Sequence, residues 1–307
     1  MVIRMLAVKG RPNTWKTHYY AWRQFRLFCR IRDAPYLPTT DDTVAIYLEY
    51  LEETTDVRSA LESACSAINF VHCKLNNLPS PCDGFMVGML RAMVLGERAT
   101  AVQRKRVIPR PVLKSMLRAF YDVRTRKYDK LILGNILLGT KSLSRFSDLC
   151  RILKEHSGVR PAHTEFAFAI RKNEKVRTSV CLDHIGGPGC TATLWMHLAY
   201  VFPYDQSGAL LKEFDHRSNR VLDEPMSYAH FMVAFRQMLV IHGVPADEVQ
   251  YYGSQSMRRT GASLLSDEGV PDSVIDRLGN WHCPESKKIY TVPQKRLRLQ
   301  AAKALMF

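Results

Sequence analysis

The stretch QSMRRTGASLLSDEGVPDSVIDRLGNWHCPESKKIYT, residues 255–291, decides how the rest of the chain is interpreted. It brings three arginines, a tryptophan, a histidine and a tyrosine into one segment of a region that is predicted to be helical. Two explanations compete. The segment is either a helical hairpin with a charged surface or part of an active site.

Length and composition favour a protein with two domains and no membrane partner. The chain has 307 residues, of which 46% are hydrophobic, enough for one large core or two smaller ones. No apolar run approaches the roughly 18 residues of a membrane span. The first residues lack the apolar block of a secretory signal, and the cysteines lack zinc-finger spacing. The sequence therefore predicts an intracellular protein with reduced thiols.

The net charge of +15 is distributed unevenly along the chain. Residues 1–103 carry a net charge of +2, whereas residues 104–307 carry +13. A basic field concentrated in one region suggests a polyanionic partner, most often nucleic acid. The alternative is that the protein is basic and binds no polyanion specifically.

Residues 1–103 are predicted to form an all-helical domain. The first helix, in NTWKTHYYAWRQFRLFCRI, has Asn13 or Thr14 as its expected N-cap. Its apolar positions at helical spacing are Trp15, Tyr19, Trp22, Phe25 and Phe28. Further helices are predicted in PTTDDTVAIYLEYLEE, VRSALESACSAINFVHCKL and PCDGFMVGMLRAMVLGE. The other face of the first helix carries candidate phosphate contacts: Lys16, Arg23, Arg26 and Arg30.

Residues 104–110 are predicted to be a basic linker to a second domain, residues 111–307. A linker that crosses the surface of a polyanion has this composition, and so has a merely solvated connector. Its candidate phosphate contacts are Arg104, Lys105 and Arg106. Beyond it, EFAFAIRKNEKVRTSVCL predicts a hairpin with strands over 165–170 and 176–182. The expected fold is mainly α: a helical N-terminal domain, then a mostly α domain with a small antiparallel β-sheet.

Separated basic and aromatic residues of this second domain call for one explanation. Each of them alone has an ordinary structural explanation, as a solvated arginine, an exposed hairpin lysine or a core tyrosine. Their order and spacing together are more informative than any one of them. They are Arg145 in SLSRFSDL, Lys172 in IRKNEK, Arg258 in QSMRRTGAS, and Trp281 and Tyr290 in LGNWHCPESKKIYT.

This set resembles the tyrosine recombinase, or phage-integrase, family. In that family an Arg-x-Ser-Glu-Leu-like motif, a hairpin lysine and a His-x-x-Arg motif precede a Gly-His or Gly-Trp. The nucleophilic tyrosine follows nine residues later. RFSDL supplies Arg145 and Asp148, and Lys172 is the hairpin lysine, with Lys175 as the alternative. Trp281 stands nine residues before Tyr290. The Gly-x-Trp form GNW is most similar to recombinases of eukaryotic mobile elements. The resemblance covers essentially the whole chain, including the helical DNA-clamping domain.

The resemblance implies site-specific strand cleavage and rejoining through a 3′-phosphotyrosyl bond on Tyr290, with no metal, cofactor or ATP. Guanidiniums suit the reacting phosphate because each offers paired donors and stays charged. The resemblance assigns this role to Arg145 and Arg258, and it implies that Lys172 protonates the departing 5′ oxygen. It also implies that Trp281 donates its indole N–H to the phosphate and that Asp148 orients Arg145.

One position departs from the family pattern. Gln255 stands where the family has the histidine of His-x-x-Arg. An amide can donate a hydrogen bond to a phosphate oxygen but cannot act as a base near neutral pH. Three explanations remain. The amide of Gln255 takes over the role of the histidine, another residue such as His282 substitutes for it, or activity is reduced. The alternative function is therefore a weakened or silent DNA-binding protein of recombinase descent.

The resemblance also predicts the partners. The expected assembly is a homo-tetramer on two double-stranded DNA duplexes, located in the nucleus if the host is eukaryotic and otherwise with DNA in the cytoplasm. Lys175 and Arg259 are further candidate DNA contacts. The basic tail from about residue 291 either packs on its own domain or is exchanged between protomers.

Overall fold

The computed structural model describes residues 12–55, 58–97, 104–168, 178–184, 186–203, 205 and 207–281. The chain divides into two compact units, Met1–Val102 and Gln103–Phe307. They are called here the N-terminal unit and the C-terminal unit.

Helices form the described part of the N-terminal unit. They are α1 (Pro12–Ile31), α2 (Asp41–Thr54), α3 (Arg58–Asn69) and α4 (Phe85–Glu97), and α3 continues into a π-helical segment, Phe70–Leu75. The side-chain hydroxyl of Thr40 caps α2 by accepting a hydrogen bond from the backbone N–H of Thr43 at 3.3 Å. The sequence prediction of helices in these four stretches is confirmed.

The core of the N-terminal unit is aromatic. Trp22, Phe25 and Phe28 of α1 are buried and pack with Tyr47 of α2 and with residues of α3. Two details of the prediction for α1 were wrong. Tyr19 is 45% exposed instead of buried. The helix also begins at Pro12, so Asn13 and Thr14 lie in its first turn; a proline is favourable at that position because its missing N–H would have no helical partner.

The C-terminal unit is mostly helical. Its helices among the described residues are α5 (Arg110–Tyr121), α6 (Lys127–Lys141), α7 (Phe146–Leu149), α8 (Thr191–Val201), α9 (Tyr228–Ile241), α10 (Ser254–Asp267) and α11 (Asp272–Gly279), with 3₁₀ turns at Lys154–His156 and Val249–Tyr251. Helix α6 is central, because every residue from 130 to 140 is buried. It contacts α5, α8, α9 and α10, which explains why LILGNILLGT is apolar on all sides.

Strands form two small antiparallel sheets in the described residues. One contains β1 (Gly158–Val159), β2 (His163–Phe168) and β3 (Thr178–Asp183) in the order β1-β2-β3. The pairing of β2 with β3 confirms the predicted hairpin, whose tip lies outside the described residues. The other sheet pairs β4 (Lys212–Asp215) with β5 (Arg220–Pro225). The sequence did not predict this second sheet, because β4 and β5 are short and strongly charged.

The mainly α fold with a small antiparallel sheet is confirmed. None of the helices in the described part of the chain combines the length and apolar character that a membrane span requires.

Candidate active site

Arg145 lies in a short loop between α6 and α7. Leu143 in this loop has a φ of 49°, a left-handed conformation that bulky residues rarely adopt. Buried hydroxyl groups support the turn. Ser142 Oγ donates to the carbonyl oxygen of Leu138 at 2.7 Å and lies 2.8 Å from Ser144 Oγ. These hydrogen bonds therefore fix the main chain that leads into Arg145.

Asp148 is fully buried and lies behind Arg145. Its Oδ2 accepts a hydrogen bond from the backbone N–H of Arg145 at 3.1 Å and lies 3.7 Å from Nη1 of the same residue. The side chain of Arg145 is 27% exposed, so part of it is accessible to a ligand, whereas its Nη1 is buried. The orienting role of Asp148 stays a prediction, with these contacts as its physical basis.

Arg258 projects from α10 into the protein interior and is fully buried. Its Nη1 donates to the carbonyl oxygen of Leu143 at 2.7 Å, and its Nη2 donates to the carbonyl oxygen of Gly279. The guanidinium carbon lies 4.1 Å from the centre of a Trp281 ring. Charge-assisted hydrogen bonds and a cation–π contact together make burial of this charge tolerable.

Trp281 follows the left-handed C-cap of α11, Asn280, which has a φ of 51°. The backbone N–H of Trp281 donates to the carbonyl oxygen of Asp276 at 2.9 Å. The side chain is 8% exposed and belongs to a small apolar cluster with Leu143, Ala262 and Ile275. A Cβ at Gly279 would overlap the indole ring, so the glycine of GNW is required by packing.

The structure brings part of the predicted site together. The loop of Arg145, the side chain of Arg258 and the side chain of Trp281 meet through the carbonyl groups of Leu143 and Gly279. The other predicted positions lie outside the described residues. These are Lys172, Lys175, His282, Tyr290 and the tail from about residue 291.

Gln255 and a tyrosine that motif spacing did not reveal lie at the start of two helices. Gln255 is exposed in the first turn of α10. Tyr228, the first residue of α9, is 55% exposed. Its ring lies edge-on to Phe146 at 5.2 Å, and its hydroxyl accepts a 3.5 Å hydrogen bond from Ser254 Oγ. Tyr228 thus touches the neighbours of both Arg145 and Gln255. No motif in the sequence marks this tyrosine.

The basic run at residues 104–106 packs against its own unit. Lys105 Nζ donates to the carbonyl oxygen of Gln250 at 3.1 Å, and the Lys105 carbonyl accepts from Arg259 Nη1 at 2.8 Å. Arg106 pairs with Glu248 and lies over the Tyr251 ring at 4.5 Å. Burial lowers the pKa of Arg259, and the like charge of Arg104 adds to this effect. The run therefore forms a fixed basic surface, and its phosphate contacts stay a prediction.

The basic face of α1 is accessible. Lys16, Arg23 and Arg30 are exposed, and the guanidinium of Arg26 lies 5.0 Å from the centre of the Tyr36 ring. Within the described ranges, no group of three or more His, Cys, Asp or Glu side chains is arranged to hold a metal ion.

Comparison with known proteins reveals a shared fold. No protein-family model matches the sequence, and no curated protein matches it either. Solved structures do match. A lambda integrase tetramer bound to a Holliday junction is 14% identical over 95% of this chain and 76% of that chain, with a TM-score of 0.59.

Two further structures match over similar lengths. A Tn1549 transposon integrase fragment in complex with transposon right end DNA is 11% identical over 98% of this chain and 96% of that chain, with a TM-score of 0.62. The XerH site-specific recombinase bound to palindromic difH substrate is 12% identical over 95% and 77% of the two chains, with a TM-score of 0.60. The chain therefore has the fold of the tyrosine recombinases and integrases.

Proposed function

We propose that this chain is a tyrosine-type site-specific recombinase or integrase that cuts and rejoins DNA strands. One observation carries the proposal. In a fold shared with recombinases whose structures contain DNA, the Arg145 loop, Arg258 and Trp281 converge on one region. These residues were selected by motif spacing alone, and their contacts support that selection.

The proposed reaction is a transesterification. The phenol oxygen of Tyr290 attacks the scissile phosphate and forms a 3′-phosphotyrosyl bond as the bond from phosphorus to the 5′ oxygen breaks. The departing 5′ oxygen takes a proton from Lys172, the phenol proton is released to solvent, and solvent returns a proton to Lys172. Arg145, partly exposed on its supported loop, neutralises charge on the non-bridging oxygens. Arg258 adds its charge nearby and holds that loop through the Leu143 carbonyl. The reverse attack by a 5′ hydroxyl rejoins the strand, so neither a metal ion nor ATP is required.

The proposed partner is double-stranded DNA at specific recombination sites, bound by a homo-tetramer that exchanges the tail from about residue 291. The basic face of α1 and the surface formed by residues 104–106 with Arg259 supply phosphate contacts, which dominate affinity and make it salt-dependent. The protein acts where DNA lies, in the nucleus of a eukaryotic host and otherwise in the cytoplasm.

A catalytically silent DNA-binding protein is the second candidate. Two observations favour it: the exposed amide of Gln255 cannot serve as a base, and Nη1 and Nη2 of Arg258 donate to backbone carbonyl groups. Both candidates predict DNA binding, so only a chemical assay separates them.

The test is formation of a covalent protein–DNA adduct. The wild-type protein is incubated with duplex DNA taken from both sides of its own gene, denatured with SDS and examined for adducts. We expect an adduct that Tyr290→Phe abolishes and Tyr200→Phe retains, because Tyr200 lies on α8 and is 81% exposed. Tight binding without an adduct would identify the silent protein. Higher turnover in Gln255→His would show that the glutamine is a handicap, whereas unchanged or lower turnover would show a site adapted to the amide.

A further inference from the structure

Tyr228 lies beside the neighbours of two motif residues but belongs to no motif itself. Its ring packs on Phe146, the residue after Arg145, and its hydroxyl contacts Ser254, the residue before Gln255. More than half of its surface is nonetheless exposed, whereas Ser254 is buried. The phenol is thus an exposed polar group between the Arg145 loop and the first turn of α10.

The start of α9, which carries Tyr228, is fixed by a chain of polar contacts. Ser227 caps α9 by accepting a hydrogen bond from the His230 N–H at 3.2 Å, and its own N–H donates to Glu213 Oε1 at 2.8 Å. The other oxygen of Glu213 lies 2.5 Å from Nδ1 of His230, whose Nε2 lies 2.9 Å from the Tyr128 hydroxyl. Contacts from β4 and α6 therefore hold the Tyr228 backbone, and Phe146 holds its ring.

The contact between the Tyr228 hydroxyl and Ser254 is weak. Its length of 3.5 Å is well beyond the roughly 2.7–2.8 Å that is typical of hydroxyl hydrogen bonds. In this contact the phenol oxygen is the acceptor, and its own O–H is available to a ligand. A phenol O–H can donate a hydrogen bond to a phosphate oxygen.

We propose that Tyr228 is a further catalytic residue, whose hydroxyl donates a hydrogen bond to a non-bridging oxygen of the scissile phosphate between Arg145 and Gln255. This inference rests on the proposed function, since it names a further donor for the same phosphate. Tyr228 supplies beside Gln255 a donor to the phosphate that does not depend on a histidine. No proton is transferred from Tyr228 in this role, so the phenol is unchanged by each cycle.

The test compares Tyr228→Phe with Tyr200→Phe. The phenylalanine at position 228 keeps the ring on Phe146 and removes only the hydroxyl, so the melting temperature stays that of the wild type. The first probe is a supercoiled plasmid that carries the DNA flanking the gene. We expect Tyr228→Phe to slow adduct formation about 100-fold, the usual cost of losing one donor to a developing oxyanion, and Tyr200→Phe to leave it unchanged. An equal rate in both variants would overturn the proposal.

A second probe separates failure of this inference from failure of the proposed function. If the wild-type protein forms no adduct, the proposed function fails. DNA-binding affinity then tests whether Tyr228 contacts a phosphate. Affinity for a short fluorescent duplex of random sequence is then measured by anisotropy. A phosphate contact predicts that Tyr228→Phe weakens binding by about 2- to 10-fold, with no change in Tyr200→Phe. Equal affinity in both variants would reject Tyr228 as a phosphate ligand.

Discussion

Replacing Arg258 with alanine tests whether this arginine is a structural support as well as a site residue. The change removes charge-assisted hydrogen bonds to the Leu143 and Gly279 carbonyls and the contact with Trp281. Each such bond contributes about 1.5–3 kcal/mol, and the alanine leaves buried acceptors behind. The loss of a buried charge's desolvation cost offsets part of this, so we expect a net destabilisation of roughly 3–5 kcal/mol.

Differential scanning calorimetry of the full chain measures the effect, and hydrogen exchange of α10 peptides assigns it to the C-terminal unit. For a unit of this size each kcal/mol lowers the melting temperature by about 2–4 °C, so a fall of about 6–20 °C is expected. Arg258→Lys should fall between wild type and alanine, because lysine keeps the charge but not the planar donors. Arg277→Ala on α11 is the matched control, since Arg277 is exposed. A melting temperature of Arg258→Ala equal to that of Arg277→Ala would refute the reasoning.

Other predictions concern packing and titration. Gly261→Ala places a Cβ on the Thr140 carbonyl and should destabilise the C-terminal unit by about 1–3 kcal/mol. Gly88→Ala has open space around it and should stabilise α4 by about 0.5–1 kcal/mol. Urea unfolding compares the two variants, and equal effects would contradict the close approach of α10 to α6. Burial lowers the pKa of His72, whose Nε2 accepts a hydrogen bond from a backbone N–H. The folded state therefore favours the neutral ring, so the free energy of unfolding is highest above about pH 6.5 and falls below it. His72→Gln should remove that slope in melting curves recorded against pH. Burial alone would raise the pKa of Glu213, but the Ser227 amide and His230 lower it. The carboxylate therefore stabilises the folded state above about pH 4.3, and this stabilisation is lost in more acidic solution. Glu213→Gln should be less stable than the wild type at neutral pH and should lose less stability on acidification.

Long periodic elements of the fold were predictable from the sequence, and short charged ones were not. Helix α3 was predicted from VRSALESACSAINFVHCKL, and the β2–β3 hairpin was predicted because two β-type runs flank a polar turn. The β4–β5 hairpin has no apolar alternation. Lys212 of β4 is buried through ion pairs with Asp205 and Asp223, and hydrophobic periodicity carries no record of such pairing.

The candidate site shows the same limit. Motif spacing selected Arg145, Arg258 and Trp281, whose segments contact one another. It did not predict that Arg258 is fully buried, because an arginine is expected at the surface unless its buried partners are known. Those partners are backbone carbonyl groups, which any sequence supplies. Tyr228 was missed for a related reason, since its neighbours Phe146 and Ser254 are distant along the chain.

The Arg258 guanidinium donates hydrogen bonds to two carbonyl groups and so connects two distant parts of the chain. Arg258 ties the turn before Arg145 to the last residue of α11, from which the chain continues through Trp281. We therefore expect a displacement of α11 to be transmitted through Arg258 to the loop of Arg145. Coupling between the loop of Arg145 and the end of α11 needs no longer series of side-chain contacts, because the single residue Arg258 joins them.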